Sequence, residues 1–274
     1  MWLTAVYHQV SMFSLKPADA TSTGGRSLLV PTPFSIKMAL LDVALRLYGE
    51  ASGSILFPLI RDLGIALSPP PQVIVNNCFV RIHKPRRAKG GSSDKAGDEG
   101  DEGEASGGEP FIRSVAFREY VAYNGPLGIA LEVSARQDAD LLAPLLVQVT
   151  YFGKRGGLFQ LDSPAAFLER LPTRQGYMPI NRSQDLALLS SVDARLEIST
   201  GYMPINRSQD LAFAESRGVL QMLDDCATTL SFAKVNIYSD ENLSAGKDRI
   251  LRHIVLPYRL TRTSRGFSLY ERII

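Results

Sequence analysis

Cysteine, histidine and net charge are all scarce in this chain of 274 residues, and each scarcity removes a class of function. There are 2 cysteines and 3 histidines. Cys78 and Cys226 stand far apart without C-x-x-C spacing, so neither a disulfide framework nor a zinc site is expected. Two lone thiols among apolar neighbours suit a reducing compartment. His8, His83 and His253 form no pair with metal-ligand spacing, and neither a G-x-S-x-G nor a Walker pattern occurs. No metal and no cofactor is therefore expected. The net charge is only +2, too small for the chain as a whole to attract polyanions. No apolar run nears the ~18 residues of a membrane span, and no basic leader precedes Trp2–Val6. The expectation is a protein of the cytoplasm, away from membranes.

What is present is a core and a patterned chain. Hydrophobic residues make up 45%, enough for one elaborated domain or a domain with an appendage. Residues 2–11 alternate in twos and predict a strand. After Val30-Pro31-Thr32-Pro33, the residues Ile36, Leu40, Val43 and Leu47 recur three to four apart and predict a helix over 34–48, stopped by Gly49. A shorter helix is expected over 54–63 around Pro58. Residues 72–83 predict a strand, and 111–122 with 127–134 predict two more joined by a hairpin-type turn at Asn124-Gly125-Pro126. A helix capped by Asp138 over 139–149 and a short strand over 158–161 complete the series.

That order, strand–helix–strand–strand–helix–strand with an added helix and strand, predicts an α+β fold. It is a ferredoxin-like domain over 1–162, of the kind used by RNA recognition motifs. Residues 84–110 interrupt it with 7 glycines, 7 acids and 5 bases, a composition that cannot bury enough surface to offset its ordering entropy, so a disordered loop is expected. Residues 163–274 read as an α/β extension, helical at 164–171 and 213–226 and extended at 229–238 and 250–271. Within it GYMPINRSQDLA occurs at 176–187 and again at 201–212. Identity over half a unit followed by none is the mark of a tandem duplication rather than a solenoid. Different sequences follow the two copies, which should therefore sit in different environments.

Candidate site residues fall into two sets. Arg26 ends the turn Gly24-Gly25-Arg26, and Lys154, Arg155, Gly156 and Gly157 form a glycine-rich basic loop after the second helix. Glycines let a backbone approach phosphate, and the two bases add charge. The C-terminal stretch 247–274 has 7 Lys/Arg against 2 acids, and Arg259, Arg262 and Arg265 recur every third residue between Tyr258 and Phe267. Charge interleaved with aromatics suits a nucleic-acid strand. A catalytic alternative rests on His83 beside Lys84, with Tyr48 or Tyr120 assisting, which could cut RNA without metal. The plainer reading of that pair, a basic strand end entering a basic loop, is preferred.

The chain resembles the CRISPR-associated protein five family, of the RAMP superfamily. The resemblance is carried by Gly25-Arg26-Ser27-Leu28-Leu29-Val30-Pro31-Thr32-Pro33-Phe34-Ser35 before the first helix. It is carried further by Phe117-Arg118-Glu119-Tyr120, by Tyr151-Phe152-Gly153-Lys154-Arg155-Gly156-Gly157, and by Pro257-Tyr258 with the arginines after it. Two places depart from the family. Lys37-Met38-Ala39 stands where a glycine is often found, and 84–110 stands where a thumb-like β-hairpin is usual. The resemblance implies a non-catalytic subunit of a type I Cascade complex that binds crRNA by its five-prime handle. It adds Arg118 and Tyr120 to the RNA-binding residues. Its expected partners are the CRISPR backbone subunit and the large subunit, and target DNA would be met only indirectly, through the assembled complex. Two rivals share the fold: a metal-independent repeat endoribonuclease and the analogous subunit of a type III complex.

Overall fold

The computed structural model describes residues 1–18, 25–85, 111–171, 178–179, 218–236, 238–244 and 246–273. Its largest sheet begins with β1 (Trp2–Gln9), which leads into α1 (Pro33–Asp62) and β2 (Gly64–Ser68). Two long strands follow, β3 (Gln72–Pro85) and β4 (Phe111–Asn124), then β5 (Leu127–Glu132), α2 (Arg136–Gln148) and β6 (Phe159–Leu168). With β7 (Met178–Pro179), the sheet order is β6-β1-β5-β2-β7 and every neighbouring pair is antiparallel. Thus β1 and β2 flank β5, while β5 and β6 flank β1, so two strand–helix–strand units interleave in one sheet.

Burial explains why these residues form these elements. Leu3, Ala5 and Tyr7 point inward from β1 with the period of two that a strand imposes. Ile36, Leu40 and Val43 do so from α1 at helical spacing. In β5 the run Leu127–Leu131 is buried throughout, which is why it reads as continuous apolar sequence rather than as an alternation. Thr32 caps α1 by accepting from the Ser35 amide at 3.1 Å, with Pro33 at the first helical position, where its missing N–H costs nothing. Gly49 (φ 79°) breaks the helix in two, where a glycine stop was expected. Asp138 lies one turn inside α2 and accepts from the Ala135 amide at 3.1 Å.

Several expectations are corrected. β2 has no counterpart in the sequence reading, since five residues after a helix give too short a pattern. The expected hairpin at Asn124-Gly125-Pro126 is instead a crossover. β4 pairs with β3 over 14 rows, from Gln72↔Asn124 to Pro85↔Phe111, and β5 goes to the other sheet. Lys84 and Pro85 belong to this hairpin rather than to a loop, and 86–110 lies outside the described residues. Residues 164–168 are strand, because the open edge of β1 takes them as a partner despite a helix-like composition. This one strand runs through position 162.

The C-terminal part supplies β8 (Val219–Cys226), the short α3 (Phe232–Val235), β9 (Arg249–Leu256), β10 (Tyr258–Thr263) and β11 (Phe267–Arg272). The helix expected at 213–226 is therefore strand over its described part. The extended segment expected at 229–238 holds a helical turn. β10 and β11 join the hairpin in a second sheet, order β10-β11-β3-β4, and β8 pairs with β9 alone. No helix among the described residues is long and apolar enough to cross a membrane.

The two-stranded β8–β9 unit docks on α1 through buried charge. Lys37, 1% exposed, meets Asp225 Oδ1 at 2.7 Å and donates to the Arg61 carbonyl at 2.8 Å. The Cys226 amide donates to the same carboxylate at 2.8 Å, and Arg252 Nε lies 3.5 Å from its other oxygen. Arg249 binds Asp224 at 2.8 Å while its guanidinium covers the Phe34 ring at 4.4 Å. Burial pushes the Cys226 thiol up to about 12, so it stays protonated and inert.

Removing one partner of a buried pair strands the other, at a cost of about 3–5 kcal/mol. Lys37→Met should therefore lower the urea midpoint sharply, and Lys37→Met with Asp225→Leu should recover much of the loss. A single-variant loss below about 1 kcal/mol would show that the pair is solvated in solution.

Candidate nucleic-acid interface

Strand register gathers one set of predicted residues on a single face of the second sheet. Residues opposite one another across a ladder point to the same side. Tyr120, Asn76 and Phe267 form one row, and Ala122, Ile74, Leu269 and Arg262 the next. Asn124, Gln72, Glu271 and Arg259 form the third, and Arg118 extends the face beside Cys78. The opposite face carries Val73, Val75, Val121 and Tyr258, all buried, and packs on the body of the protein.

Arg259 and Arg262 share this face for a specific reason. A spacing of three puts residues on opposite sides of a regular strand. A register shift between Leu260 and Arg262 restores them to the same side, with Arg259 opposite Glu271 and Arg262 opposite Leu269. Arg265 sits in the turn between β10 and β11, its carbonyl accepting from Asn77 Nδ2 at 3.2 Å. The one acid in these rows, Glu271, accepts from Gln72 at 3.1 Å, and Gln72 in turn accepts from Asn124 at 2.7 Å. The face thus presents two aromatic rings, Tyr120 and Phe267, between arginines at both sides.

The second set borders the segment Ser11–Leu15. Gly153 (φ 82°) opens the glycine-rich turn, and Phe152 before it is buried against Tyr7 with ring centroids 5.2 Å apart. Ser11 Oγ donates to the Gly156 carbonyl and accepts from the Leu158 amide, both at 2.7 Å. The Gly157 amide donates to the Lys154 carbonyl at 3.2 Å. Those two amides are spent inside the turn, so Gly157 serves closeness: a Cβ there would run into Phe13. Gly156 faces open space, and Lys154 and Arg155 project outward.

On the other side of the segment, the Leu15 amide donates to Ser27 Oγ at 2.9 Å and the Leu28 amide to the Leu15 carbonyl at 2.8 Å. The Ser27 amide donates to Glu119 at 2.7 Å and the Glu119 amide to the Gly25 carbonyl at 2.8 Å. Arg26, next to Ser27, and Lys16, next to Leu15, are both exposed. Tyr270 lies close enough to feel both Glu119 and Arg26; its phenol is raised, first by burial and then by Glu119. Lys16 was not singled out by sequence, because a lone lysine before a proline carries no pattern.

The remaining sequence candidates are placed apart from both sets. His83 lies five residues beyond Cys78 on β3, about 17 Å along the strand, opposite Arg113 and with its ring 6.2 Å from Phe111. Tyr48 lies on α1 beside the Gly49 break. His8 faces Asp162 at 3.2 Å, both side chains half exposed. The same hairpin reveals an exposed ribbon that sequence reading missed, with Phe79 (76% exposed) against Phe117, then Arg81 opposite Val115, then His83 opposite Arg113. Its signal is a strand whose outward positions alternate aromatic and basic where a core strand would alternate apolar and polar.

No family model matches the chain. A curated relative, the CRISPR-associated protein Cas5 of Archaeoglobus fulgidus, is 31% identical over 87 residues, which is 31% of this chain and 38% of that protein. The matched stretch thus spans little more than a third of the relative's length. Among solved structures, a chain of a CRISPR RNA-guided surveillance complex aligns with TM-score 0.41 and 14% identity, over 93% of this chain and 88% of the other. A CRISPR protein from Archaeoglobus fulgidus aligns with TM-score 0.43 and 10% identity, over 99% and 92%. A chain of a type III-B Cmr-beta complex bound to cognate target RNA and AMPPnP aligns with TM-score 0.37 and 9% identity, over 98% and 86%.

The two glycines of the basic turn should separate. Gly157→Val should lower the melting temperature by several degrees, the result of forcing a side chain into Phe13. Gly156→Val should leave it within about one degree, because the added atoms meet only solvent. Equal melting temperatures for the two variants would contradict this packing.

Proposed function

We propose, from the premise that this chain is Cas5-like, that it is the crRNA-binding subunit of a CRISPR effector complex and that its role is grip rather than cleavage. The interleaved β6-β1-β5-β2 sheet under two helices is read as the ferredoxin-like core of RAMP proteins. The observation that carries the reading is the outer face of the second sheet, where Arg259 and Arg262 are exposed and Arg118, Tyr120 and Phe267 half-buried. There a register shift aligns Arg259 and Arg262 with Arg118, Tyr120 and Phe267. Guanidinium groups set beside aromatic rings suit a single strand, with the bases stacked and the phosphates paired.

The Arg26–Lys16–Lys154–Arg155 rim would hold a second length of the same strand, through charge rather than through spent backbone amides. In the Cascade reading this strand is the five-prime handle. The projecting β3–β4 hairpin, with its exposed rings and bases, supplies the thumb that the family resemblance calls for and would meet the neighbouring backbone subunit. The large subunit would complete the assembly.

Binding of repeat-derived RNA across a salt series tests the reading. Each phosphate contact on a single strand contributes a slope of roughly 0.7 in log K against log salt. Arg259→Ala with Arg262→Ala should flatten the slope by about 1.4, and Lys154→Ala with Arg155→Ala by a similar amount. Tyr120→Leu should weaken binding by about 1–3 kcal/mol with the slope unchanged. Arg170→Ala, exposed two residues past the end of β6, is the control. Wild-type affinity and slope in all three test variants would remove the RNA-binding reading. Cleavage of repeat RNA in chelator, lost in His83→Ala, would replace grip by endonuclease action.

Cys78 offers an independent probe, because it shares the face with Arg118 while Cys226 is buried. A maleimide should label Cys78 and spare Cys226 in the native protein, and bound RNA should slow the labelling of Cys78. Labelling unaffected by saturating RNA would place the strand elsewhere.

A further inference from the structure

Asn76 lies in the middle of the outer face of the second sheet, and its amide has no oxygen or nitrogen partner among the described residues. Register puts it directly between Tyr120 on β4 and Phe267 on β11, so all three side chains rise from one row. We infer that this row is a slot for a single base: Tyr120 and Phe267 form its walls, and the Asn76 amide on its floor pairs with the edge of an adenine. The inference rests on the RNA-binding reading of this face and adds to it the residue that tells one base from another.

The amides of this face divide sharply. Two rows away, Gln72 donates to Glu271 at 3.1 Å and Asn124 donates to Gln72 at 2.7 Å, so those side chains are engaged in holding the sheet. Asn76 Nδ2 donates only to the Met12 sulfur, at 3.4 Å, and a thioether is a weak acceptor. Met12 is itself exposed and free to swing aside. Asn76 Oδ1 accepts no hydrogen bond among the described residues. A half-buried amide thus holds a donor and an acceptor side by side, ready for a ligand edge.

The rings divide in the same way. Phe79 and Phe117, further out on the hairpin, hold each other with centroids 5.7 Å apart. Tyr120 and Phe267 stack on no other ring among the described residues. Their strands flank β3, two spacings or about 9.5 Å apart. Stacked bases lie about 3.4 Å apart, so a base between two rings needs ring planes roughly 7 Å apart. Rings rooted at this separation, each leaning inward, take one base and not two. Asparagine is the shortest of the three side chains, which puts its amide on the floor between them.

Charge supplies the rest. Arg262 lies one row along the face and Arg118 one row along in the other direction, so phosphates on either side of the slotted nucleotide meet a guanidinium. Adenine is the purine whose amino group stands beside a ring acceptor on both edges, N6–H with N7 and N6–H with N1. An amide therefore closes two bonds with it whichever edge faces the floor. Guanine offers two acceptors, N7 and O6, on the corresponding edge, and a pyrimidine gives the walls less area to stack on.

Binding of the full chain to oligouridines of about 12 nucleotides, each with one central substitution, tests this. The substituted nucleotide is adenosine, guanosine or purine riboside, the last keeping the purine ring without its amino group. Adenosine should bind at least about five-fold more tightly than purine riboside, the low end for a bidentate base contact, and Asn76→Ala should bring that ratio below about two-fold. Tyr120→Leu and Phe267→Leu should each weaken binding of both purine oligonucleotides by at least about five-fold. Should Asn76→Ala fail to fold, Asn76→Leu, of nearly the same shape without the polar ends, takes its place. Equal affinity for adenosine and purine riboside, in a wild-type chain that binds both, would overturn the slot and leave the RNA-binding reading intact. So would a preference for guanosine, the base an arginine reads best, or an adenosine preference that survives loss of the Asn76 amide. No binding to any of the three would overturn both.

Discussion

The Lys37–Asp225 ion pair is the constraint on which the rest of the architecture hangs. It joins the first helix to a strand 188 residues later, and both side chains are 1% exposed. An ammonium and a carboxylate so far from water are stable only together and only when their other hydrogen-bonding positions are filled. Here the Arg61 carbonyl and the Cys226 amide fill two of them. The β8–β9 unit is thereby held against α1 in one orientation, where apolar contact such as Phe57 on Phe232 would tolerate sliding. Because β9 leads directly into β10, that orientation fixes where the second sheet begins.

The second sheet is the functional consequence. β11 lies alongside β3, so the last strand of the chain and the inserted hairpin share one ladder. Tyr258 is anchored at its start, its hydroxyl donating to the Pro70 carbonyl at 2.7 Å, and Arg272 closes the far side by donating to the Pro69 carbonyl at 2.8 Å. Residues that bear charge and aromatic rings thus come from segments some 140 positions apart and meet on one surface. The glycine-rich turn reaches its own place differently, through Ser11 and Phe13. It is tied to the second sheet as well, since Phe13 and Val121 of β4 exchange backbone hydrogen bonds at 3.1 and 2.8 Å. The two basic surfaces thus share β4 as a support, and a long RNA strand could engage both.

Much of the fold was legible because burial writes its period into sequence. The inward residues of β1, the spacing of Ile36, Leu40 and Val43, and the stop at Gly49 all appear in the structure where pattern placed them. The misreadings share one cause. β2 is five residues long, the 164–168 segment has helical composition, and the Asn124-Gly125-Pro126 turn has hairpin chemistry. In each case a partner distant in sequence decided the outcome. β5 took β2 as neighbour, β1 took β6, and β3 took β4.

What the sequence by itself determined is the inventory: an α+β chain with a real core, a basic glycine-rich turn and a C-terminal run of arginines. Those follow from residue types and near-neighbour spacing, which act over a few residues. Only the tertiary structure decided which arginines share a face, because that depends on ladder register and on a single shift between Leu260 and Arg262. Only it revealed that Lys37, one of 8 lysines in the sequence, is a buried hinge-pin whose partner lies in the last third of the chain. And only it paired Met178–Pro179 with β2, since the contact with Ala66 and Leu67 is one between backbones that no side-chain pattern announces.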